Sequence, residues 1–447
     1  MILTPSGQPD IDALAHELES DGVSLLLGTA LDLAGVTRVK GVPVRRLRSF
    51  CESGMGASPT WNVFCVENGV ATTPAIGVVG DLRLRLDPTE VRVIDDGLAW
   101  GPTSYHGQDG SPSPLCARGR LAELERRGAE LGLRPLMGTE IEFTLVAPDG
   151  SLLGAAGWAA YGMSAAVERR SFLVDLTETL ERARVGVEQI HPEYATQQFE
   201  VSFAPRTPVA MADTGILARI LIALVAARHG LGVSLSPVPA PGGGGNGAHL
   251  HLSLSRDGAN LFSTGKGPHG LTDEGGSAIA GTLDLLPELI GIYAGSVLSG
   301  SRLVPNSWSG AAACWGLENR EAAVRFIAGT QGNPHGANIE LKVVDPSANL
   351  YLAAAAFLGS ALSGIERGLT IPAEVTENPA GLPGFDEIRL ATAQDENLDR
   401  LANSAVAREL FGKEIIDGVV AVRRHEASVF KDSTQDQIAA ALRLAWS

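Results

Sequence analysis

The sequence is poor in cysteine and in long apolar runs, and each shortage excludes a class of protein. The 447 residues include 4 cysteines, which are far apart and form no C-x-x-C pair. This spacing argues against a zinc ribbon and predicts reduced thiols in a cytoplasm. No run of roughly 18 or more apolar residues is present, so no membrane span is predicted. The N-terminus lacks a basic segment followed by an apolar core, so no signal peptide is predicted.

Basic residues are also in short supply. Lys and Arg number 35 against 51 Asp and Glu, giving a formal net charge of −16. Such an acidic chain is a poor non-specific binder of nucleic acid. A G-x-x-x-x-G-K-[ST] loop is missing, which excludes the P-loop enzymes. Hydrophobic residues at 45% and charged residues at 19% are typical of a globular protein, and we expect small-molecule chemistry.

The order of predicted elements indicates an α+β protein with two domains. Alternating apolar and polar residues predict strands within 22–46, 61–70 and 80–94. A Gly-, Ser- and Pro-rich segment at 101–115 suggests a boundary, so we divide the chain into 1–105 and 106–447. In the second part, apolar residues at helical spacing predict helices at 117–133, 172–186, 211–230, 345–368 and 433–447. Asp345 is predicted to cap the fourth of these, with Pro346 at its first position.

Two glutamates lie two residues apart in the predicted strand GTEIEF, residues 138–143. A strand places Glu140 and Glu142 on one face, so their charges should repel if they are buried. Other carboxylates and imidazoles also fall on predicted strands or beside them: Glu193, Glu200, His249, His251 and Glu340. A divalent cation would keep these carboxylates ionised, and a mostly oxygen donor set favours Mg²⁺ or Mn²⁺ over zinc. The alternative is that each Glu faces solvent on a half-exposed strand.

Arginines and a glycine run supply the other features of a phosphate-handling site. RLVP (302–305) carries Arg302, and WGLENREAAVRFI (315–327) carries Arg320 and Arg325. Cations of this kind, with metal ions, neutralise the charge of a phosphoryl group in transfer. PGGGGNG (241–247) either is a flexible linker or brings backbone close to a ligand directly before the histidine-bearing strand.

These segments resemble the glutamine synthetase family, and the resemblance covers nearly the whole chain. Six segments match family motifs in the family's order: GTEIEF, EYATQQFE (193–200), GAHLHLS (247–253), RLVP, NREAAVR (319–325) and IELKVVDPSAN (339–349). More narrowly, the chain is similar to actinobacterial glutamine-synthetase-like paralogues that are thought to glutamylate amines.

The resemblance implies a role for each candidate residue. One metal site would be formed by Glu142, Glu193 and Glu200, and a second by Glu140, His249 and Glu340. Arg302 and the backbone of Gly245 would bind glutamate. Arg320 and Arg325 would face the transferred phosphate, and Lys342 replaces a family arginine near the reacting carboxylate. The residues implied to contact ATP are Glu188, His251 and Ser253.

The resemblance also implies the fold, the assembly and the reaction. Residues 1–105 would form a β-grasp domain and residues 106–447 the catalytic domain. Two stacked hexameric rings would form a cytoplasmic dodecamer with active sites between neighbouring subunits. ATP would convert the side-chain carboxylate of glutamate to γ-glutamyl phosphate, which an amine would then attack.

Two departures from the family pattern bear on the amine. Trp308 stands where family members that make glutamine carry an acidic flap residue, and GASPTWN (56–62) replaces a stretch whose aspartate helps to bind ammonium. The loss of two acids predicts a polyamine or small organic amine as acceptor, with Trp308 as a wall of its pocket. The alternatives are that Glu318 or another acid replaces the flap acid, that Trp308 packs at the surface, that the chain is an ordinary glutamine synthetase, or that it is a non-catalytic family member.

Overall fold

The computed structural model describes residues 10–154 and 157–446, which form two β-sheets with helices packed around them. The strands are β1 Leu25–Leu31, β2 Thr37–Pro43, β3 Met55–Ala57, β4 Leu82–Leu86, β5 Arg92–Asp95, β6 Leu98–His106, β7 Arg134–Val146, β8 Val187–Pro192, β9 Gln198–Phe203, β10 Gly232–Ser234, β11 Leu250–Arg256, β12 Ala259–Asn260, β13 Ala312–Leu317, β14 Ala322–Ile327 and β15 Asn338–Leu341. The α-helices are α1 Ile11–Ser20, α2 Leu47–Glu52, α3 Ala117–Glu130, α4 Met163–Glu168, α5 Arg170–Arg182, α6 Pro208–Arg228, α7 Asp273–Tyr293, α8 Ser299–Arg302, α9 Leu350–Arg367, α10 Phe385–Ile388, α11 Gln394–Asn403, α12 Ala405–Phe411, α13 Lys413–Val429 and α14 Gln435–Leu442.

The N-terminal sheet has the order β2-β1-β6-β4-β3, with β5 also paired to β6. β1 and β6 are parallel and the other pairs are antiparallel. Leu26 of β1, Leu84 of β4 and Phe50 of α2 are fully buried in a core of their own. This mixed sheet under short helices agrees with the expected grasp-like domain. The division at residue 105 falls at the end of β6 and stays a prediction.

The second sheet carries the candidate site and has the order β13-β14-β15-β11-β7-β9-β8. β10 pairs with β7 and β12 with β11, and all pairs except β13–β14 are antiparallel. The long strand β7 lies between β11 and β9 and therefore brings residues from three segments of the chain side by side. The register places Glu142 opposite Glu200 and His251 opposite both Gly138 and Glu340.

Helices cover the apolar side of this sheet and confirm the predicted helical segments. α5 buries Phe172, Leu176 and Leu180, which are four residues apart and form one face of the helix. By length and composition α6 could cross a membrane, but 72% of its most apolar 18-residue stretch is buried inside the fold. We therefore assign α6 to the protein core.

The structure corrects two sequence predictions. Residues 61–70 were expected to contain a strand, but a 3₁₀ helix occupies Pro59–Val63 and a tight turn follows. The helix begins there because Pro59 stands at its first position and the Ser58 hydroxyl accepts the N–H of Thr60 at 3.4 Å. Asp345 does not cap α9. Its carboxylate accepts the backbone N–H of Ser347 at 2.9 Å, and Asn349 caps the helix by accepting the N–H of Leu352 at 3.2 Å.

A buried ionic network joins the N-terminal sheet to the helices of the catalytic part. Arg118 of α3 donates to Asp213 of α6 at 2.8 Å and to Asp87, beyond β4, at 2.7 Å. Tyr351 of α9 donates to Asp213 at 2.6 Å. Because Asp213 is only 1% exposed, its charge depends on these partners.

We expect Asp213→Ala to lower the free energy of unfolding by about 3–5 kcal/mol, because the substitution leaves Arg118 without its main buried counterion. Denaturant unfolding measures the change. The control is Asp417→Ala, which removes a partly exposed partner of Lys413 and Arg408 and should cost no more than about 1 kcal/mol. Equal losses in the two variants would contradict the assigned network.

Candidate active site

The two glutamates of β7 point to the same side of the sheet, where they meet histidine from the segment before β11. His249 Nδ1 lies 3.0 Å from Glu140 Oε2, and His249 Nε2 lies 3.7 Å from Glu142 Oε1. His249 directly precedes β11, and its carbonyl accepts the N–H of Glu140 at 3.1 Å. Because residues 140 and 142 lie on the same face of the strand, each nitrogen of the His249 imidazole has one carboxylate beside it.

Glu340 of β15 completes the first group of possible metal ligands. Its Oε1 lies 3.2 Å from His249 Nδ1, and donor atoms of Glu140, His249 and Glu340 all lie within 4.8 Å of one another. Glu340 is 1% exposed. The structure therefore brings together the three residues that the sequence predicted as one metal site.

The other predicted site divides into two overlapping groups. Glu142 and Glu200 group with His249, while Glu193 and Glu200 group with His191, again within 4.8 Å. His191 Nε2 lies 3.3 Å from Glu200 Oε1, and its Nδ1 lies 3.7 Å from Glu193 Oε1. Sequence reasoning gave His191 no role. Its position two residues before Glu193, which repeats the spacing of Glu140 and Glu142, was the available signal.

The glutamates differ in how easily they ionise. Burial, with the charges of Glu140 and Glu142, raises the pKa of Glu200 to about 7. Burial also raises the pKa of Glu193. Burial opposes ionisation of Glu340 as well, but the charges of Lys342 and His249 outweigh it and lower its pKa to about 2. On the Glu193–Glu200 side, burial and neighbouring carboxylates thus outweigh the compensation that His191 provides.

The residues present fit divalent cations. The donor set consists of carboxylate oxygens with a few imidazole nitrogens, which suits Mg²⁺ or Mn²⁺. A dication at Glu200 would relieve the repulsion that raises its pKa. Gln198 of β9 adds order by donating to Glu142 at 2.9 Å and to the Gly245 carbonyl at 2.9 Å.

His191→Ala should weaken binding of one Mn²⁺ by about 10–100-fold, the usual loss when a ligand or its orienting partner is removed. Binding to the Glu140–His249–Glu340 group should be unchanged, so titration calorimetry should show one weakened and one normal site. His335→Ala, at an exposed position, is the control. Normal affinity at both sites of His191→Ala would exclude His191 from the metal centre.

Buried and half-buried cations border the carboxylates on the β15 side. Arg302 donates to the carbonyls of Val343 at 3.2 Å and Lys342 at 3.1 Å, and its Nη2 lies 3.2 Å from His249 Nε2. Lys342 Nζ donates to Glu340 at 3.0 Å. Arg325 Nη1 donates to Glu340 at 3.2 Å. Three of the predicted cations therefore converge on the metal-ligand groups.

The glycine run 241–247 ends against these same side chains. A Cβ at Gly247 would lie 2.6 Å from His249 Nε2, 2.8 Å from Arg302 Nη2 and 2.9 Å from Glu142 Oε1. The N–H of Gly247 donates to Glu142 at 2.8 Å. Only glycine lets the backbone come so close, so the end of this run is part of the site.

Similarity to known proteins covers most of the chain. The profile of the family "Glutamine synthetase, catalytic domain" matches residues 114–441. The chain is 38% identical to gamma-glutamylpolyamine synthetase GlnA3 of Streptomyces coelicolor, over 98% of each chain.

The chain belongs to the glutamine synthetase family.

More distant members of the family and solved structures extend the comparison. Glutamine synthetase of Pyrococcus horikoshii is 31% identical, with 86% of this chain and 84% of the relative covered. A structure described as a novel glutamine synthase homolog superposes with a TM-score of 0.85 at 31% identity, covering 94% of this chain and 98% of the other. GmaS without ligand superposes with a TM-score of 0.83 at 25% identity, covering 95% and 97%. The fold class predicted from the sequence is confirmed.

Some residues that the family resemblance singled out form no hydrogen bond or ion pair with the glutamate groups among the described residues. Arg320 is exposed in the turn between β13 and β14, and Glu188 is exposed on β8. Ser253 is partly buried on β11. His251 is close to the centre, with Nε2 3.3 Å from Glu140 Oε1 and Nδ1 2.9 Å from Asn338 Oδ1. The roles of these residues toward ATP and phosphate stay predictions.

The loop with Trp308 departs from the glutamine-forming members of the family and has a defined shape. Asn306 and Trp308 have φ angles of 63° and 55°, which are uncommon for residues other than glycine. The Glu321 carboxylate holds both by accepting their N–H groups at 3.0 Å and 2.7 Å. The sequence did not point to Glu321. Glu318, considered as a substitute acid, pairs instead with Arg325.

Proposed function

We propose that the chain is an ATP-dependent γ-glutamyl–amine ligase whose acceptor is a polyamine or a small organic amine. The observation that carries the proposal is the aromatic wall at the flap position. Trp308 is 48% exposed and contacts Tyr194 edge to face, with 5.7 Å between the ring centroids. Tyr194 directly follows Glu193, one of the possible metal ligands. Similarity to a relative named as a gamma-glutamylpolyamine synthetase supports the choice of acceptor.

The ligand groups would hold two divalent cations, Mg²⁺ or Mn²⁺, beside the phosphates of ATP. Glu140, His249 and Glu340 would hold one, and Glu142, Glu193 and Glu200 the other, with His191 beside them. When bound, such ions neutralise phosphate charge and align the transferred phosphoryl group. Burial of these side chains in the sheet fixes their positions before substrate arrives.

The reaction has two steps that balance without a further reactant. The side-chain carboxylate of glutamate attacks the γ-phosphorus of ATP, the new P–O bond forms, and ADP leaves. The amine nitrogen then attacks the γ-glutamyl carbonyl carbon, phosphate leaves, and the nitrogen gives up a proton. Arg302 would hold glutamate, with the backbone of Gly245 beside it, while Arg320, Arg325 and Lys342 would stabilise the phosphoryl charge.

The acceptor wall accounts for a preference against ammonium. An aromatic surface offers an alkylamine apolar contact and a cation–π interaction with its charged nitrogen. It offers ammonium no carboxylate for capture and deprotonation. Glu321 lies in the same loop, but two backbone N–H groups of that loop already occupy its carboxylate.

The test is phosphate release from ATP and glutamate with a panel of acceptors, namely ammonium, putrescine, spermine, ethanolamine and an aromatic amine. We expect kcat/KM for at least one organic amine to exceed that for ammonium by a factor of ten or more, with the γ-glutamylamide as product. High turnover with ammonium alone would show an ordinary glutamine synthetase. No phosphate release with any acceptor, in protein that binds metal and nucleotide, would identify a non-catalytic member.

We expect Trp308→Ala to raise KM for the preferred organic amine by about tenfold, because it removes an aromatic contact worth about 0.5–1.5 kcal/mol and the apolar area around it. Trp308→Phe, which keeps an aromatic ring beside Tyr194, should retain most of the affinity. KM for glutamate is the internal control and should not change. An unaltered amine KM in Trp308→Ala would mean that Trp308 only packs at the surface.

The assembly is a separate proposal. We infer two stacked rings of six chains, with segment 56–62 of one chain reaching the acceptor region of its neighbour. That segment lies at β3 and the following 3₁₀ helix, in the N-terminal sheet. Sedimentation velocity should give a species of twelve chains. A stable, active monomer or dimer would remove the neighbour from the site.

A further inference from the structure

A further group of possible metal ligands lies where a turn of the N-terminal part meets α13, and nothing in the ligase reaction uses it. Donor atoms of Cys65, Glu67 and His425 lie within 4.8 Å of one another. Cys65 and Glu67 belong to the turn that follows the first 3₁₀ segment after β3, and His425 belongs to α13. Among the described residues, this is the one ligand group that includes a cysteine.

The turn is built so that two of these side chains converge. The Cys65 N–H donates to the Gly69 carbonyl at 2.9 Å, and the Asn68 N–H donates to the Cys65 carbonyl at 3.0 Å. Asn68 has a φ of 69°. A Cβ at Gly69 would lie 2.3 Å from Glu67 Oε1 and 2.5 Å from His425 Nε2. Glycine at 69 therefore keeps open the space onto which the carboxylate and the imidazole point.

The carboxylate of Glu67 is buried without the hydrogen bonds that such a group needs. Neither of its oxygens accepts one within the described residues, although an unpaired buried carboxylate is costly. His425 Nε2 lies 3.1 Å from Oε1 but without hydrogen-bond geometry. Two donors bound at about 2.0–2.1 Å to one tetrahedral zinc ion are separated by about 3.3 Å, close to the spacing seen here.

We propose that Cys65, Glu67 and His425 form a zinc site that clamps the 65–69 turn onto helix α13. Thiolate, carboxylate and imidazole are all zinc ligands, and the thiolate favours zinc over the Mg²⁺ or Mn²⁺ expected at the glutamate groups. Charges balance, since one thiolate and one carboxylate neutralise Zn²⁺. The Cys65 proton passes to solvent on binding, so affinity rises with pH.

Existing contacts already bring the turn to α13, and the ion would strengthen them. Val66 N–H donates to Glu426 at 3.2 Å, and Cys65 Sγ lies 3.9 Å from the Val422 carbonyl. His425 is 37% exposed at its side chain, which leaves room for water as a fourth ligand. We therefore expect the bound ion to stabilise the packing of the N-terminal domain against α13.

The test uses the full-length protein, stripped with chelator and supplied with excess Mg²⁺, and titrated with Co²⁺ as a spectroscopic substitute for zinc. We expect a thiolate-to-cobalt charge-transfer band that saturates at one ion per chain and is displaced by one equivalent of Zn²⁺. The glutamate groups contain no cysteine, so ions bound there give no such band. Zn²⁺ should also raise the unfolding temperature.

Variants decide the ligand assignment. Cys65→Ser should abolish the band, and Cys314→Ser, at another buried cysteine, should retain it. Because Cys65 is fully buried and its variant could misfold, His425→Ala at the surface provides the second test and should weaken Co²⁺ binding by about tenfold or more. The proposal is overturned if folded wild-type protein shows no band, or if His425→Ala binds Co²⁺ and gains thermal stability from Zn²⁺ as the wild type does.

Discussion

Glu340→Gln is expected to lower the rate of phosphate release from ATP by about 10²–10³-fold, the loss typical of removing one group that stabilises charge in the transition state. Glu340 lies 3.2 Å from His249 and donates no proton at neutral pH, because Lys342 and His249 keep its pKa near 2. The amide keeps the size of the side chain but removes the charge that a cation needs.

The same substitution should leave the fold in place, which distinguishes a catalytic loss from a structural one. Lys342 and Arg325 lose a counterion, so a modest drop in unfolding temperature is expected while the assembly persists. Glu318→Gln is the matched control, since it also pairs with Arg325 but is partly exposed. Its activity should remain near that of the wild type. Equal activity of Glu340→Gln and wild type would contradict the ligand assignment.

Arg302→Ala is expected to raise KM for glutamate by about 100-fold, because truncating one partner of a buried charge pair costs about 2–5 kcal/mol. Arg302 is fully enclosed among His249 and the carbonyls of Lys342 and Val343, so its guanidinium has a fixed orientation. KM for ATP and the affinity for Mn²⁺ should change little by comparison.

Arg302→Lys is the control that separates the effect of the positive charge from that of the guanidinium geometry. Lysine keeps the positive charge but loses the planar fork that matches a carboxylate, so it should recover only part of the affinity. A glutamate KM that is unchanged in Arg302→Ala, with kcat reduced instead, would move Arg302 from substrate binding to the phosphoryl step.

Part of the geometry of the candidate site follows from the sequence, because the strand period is short and fixed. Residues 140 and 142 had to share one face of their strand. In the structure, both side chains on that face of β7 lie close to His249, which directly precedes β11. The predicted helices at 172–186 and 211–230 also formed as α5 and α6, since their apolar residues recur at helical spacing. Periodicity carries this information without knowledge of the tertiary contacts.

What the sequence did not reveal depends on long-range pairing. His191 joins Glu200 only because β8 lies beside β9 in register. Glu321 controls the shape of the Trp308 loop from thirteen residues away. Asp345 resembled a helix cap, but its bond to Ser347 and the cap by Asn349 begin the helix later. Each of these features depends either on which side chain near the helix start accepts a backbone N–H or on a long-range contact, and residue spacing alone determines neither.

The central claim is that the glutamates of β7, β9, β15 and the segment directly after β8 share divalent cations. Mn²⁺ binding to the full-length protein, followed by electron paramagnetic resonance, tests it most directly. The account predicts two ions per chain in the wild type, one in Glu340→Gln and one in Glu200→Gln. Undiminished binding in both variants, or no binding to folded wild-type protein at millimolar Mn²⁺, would contradict it.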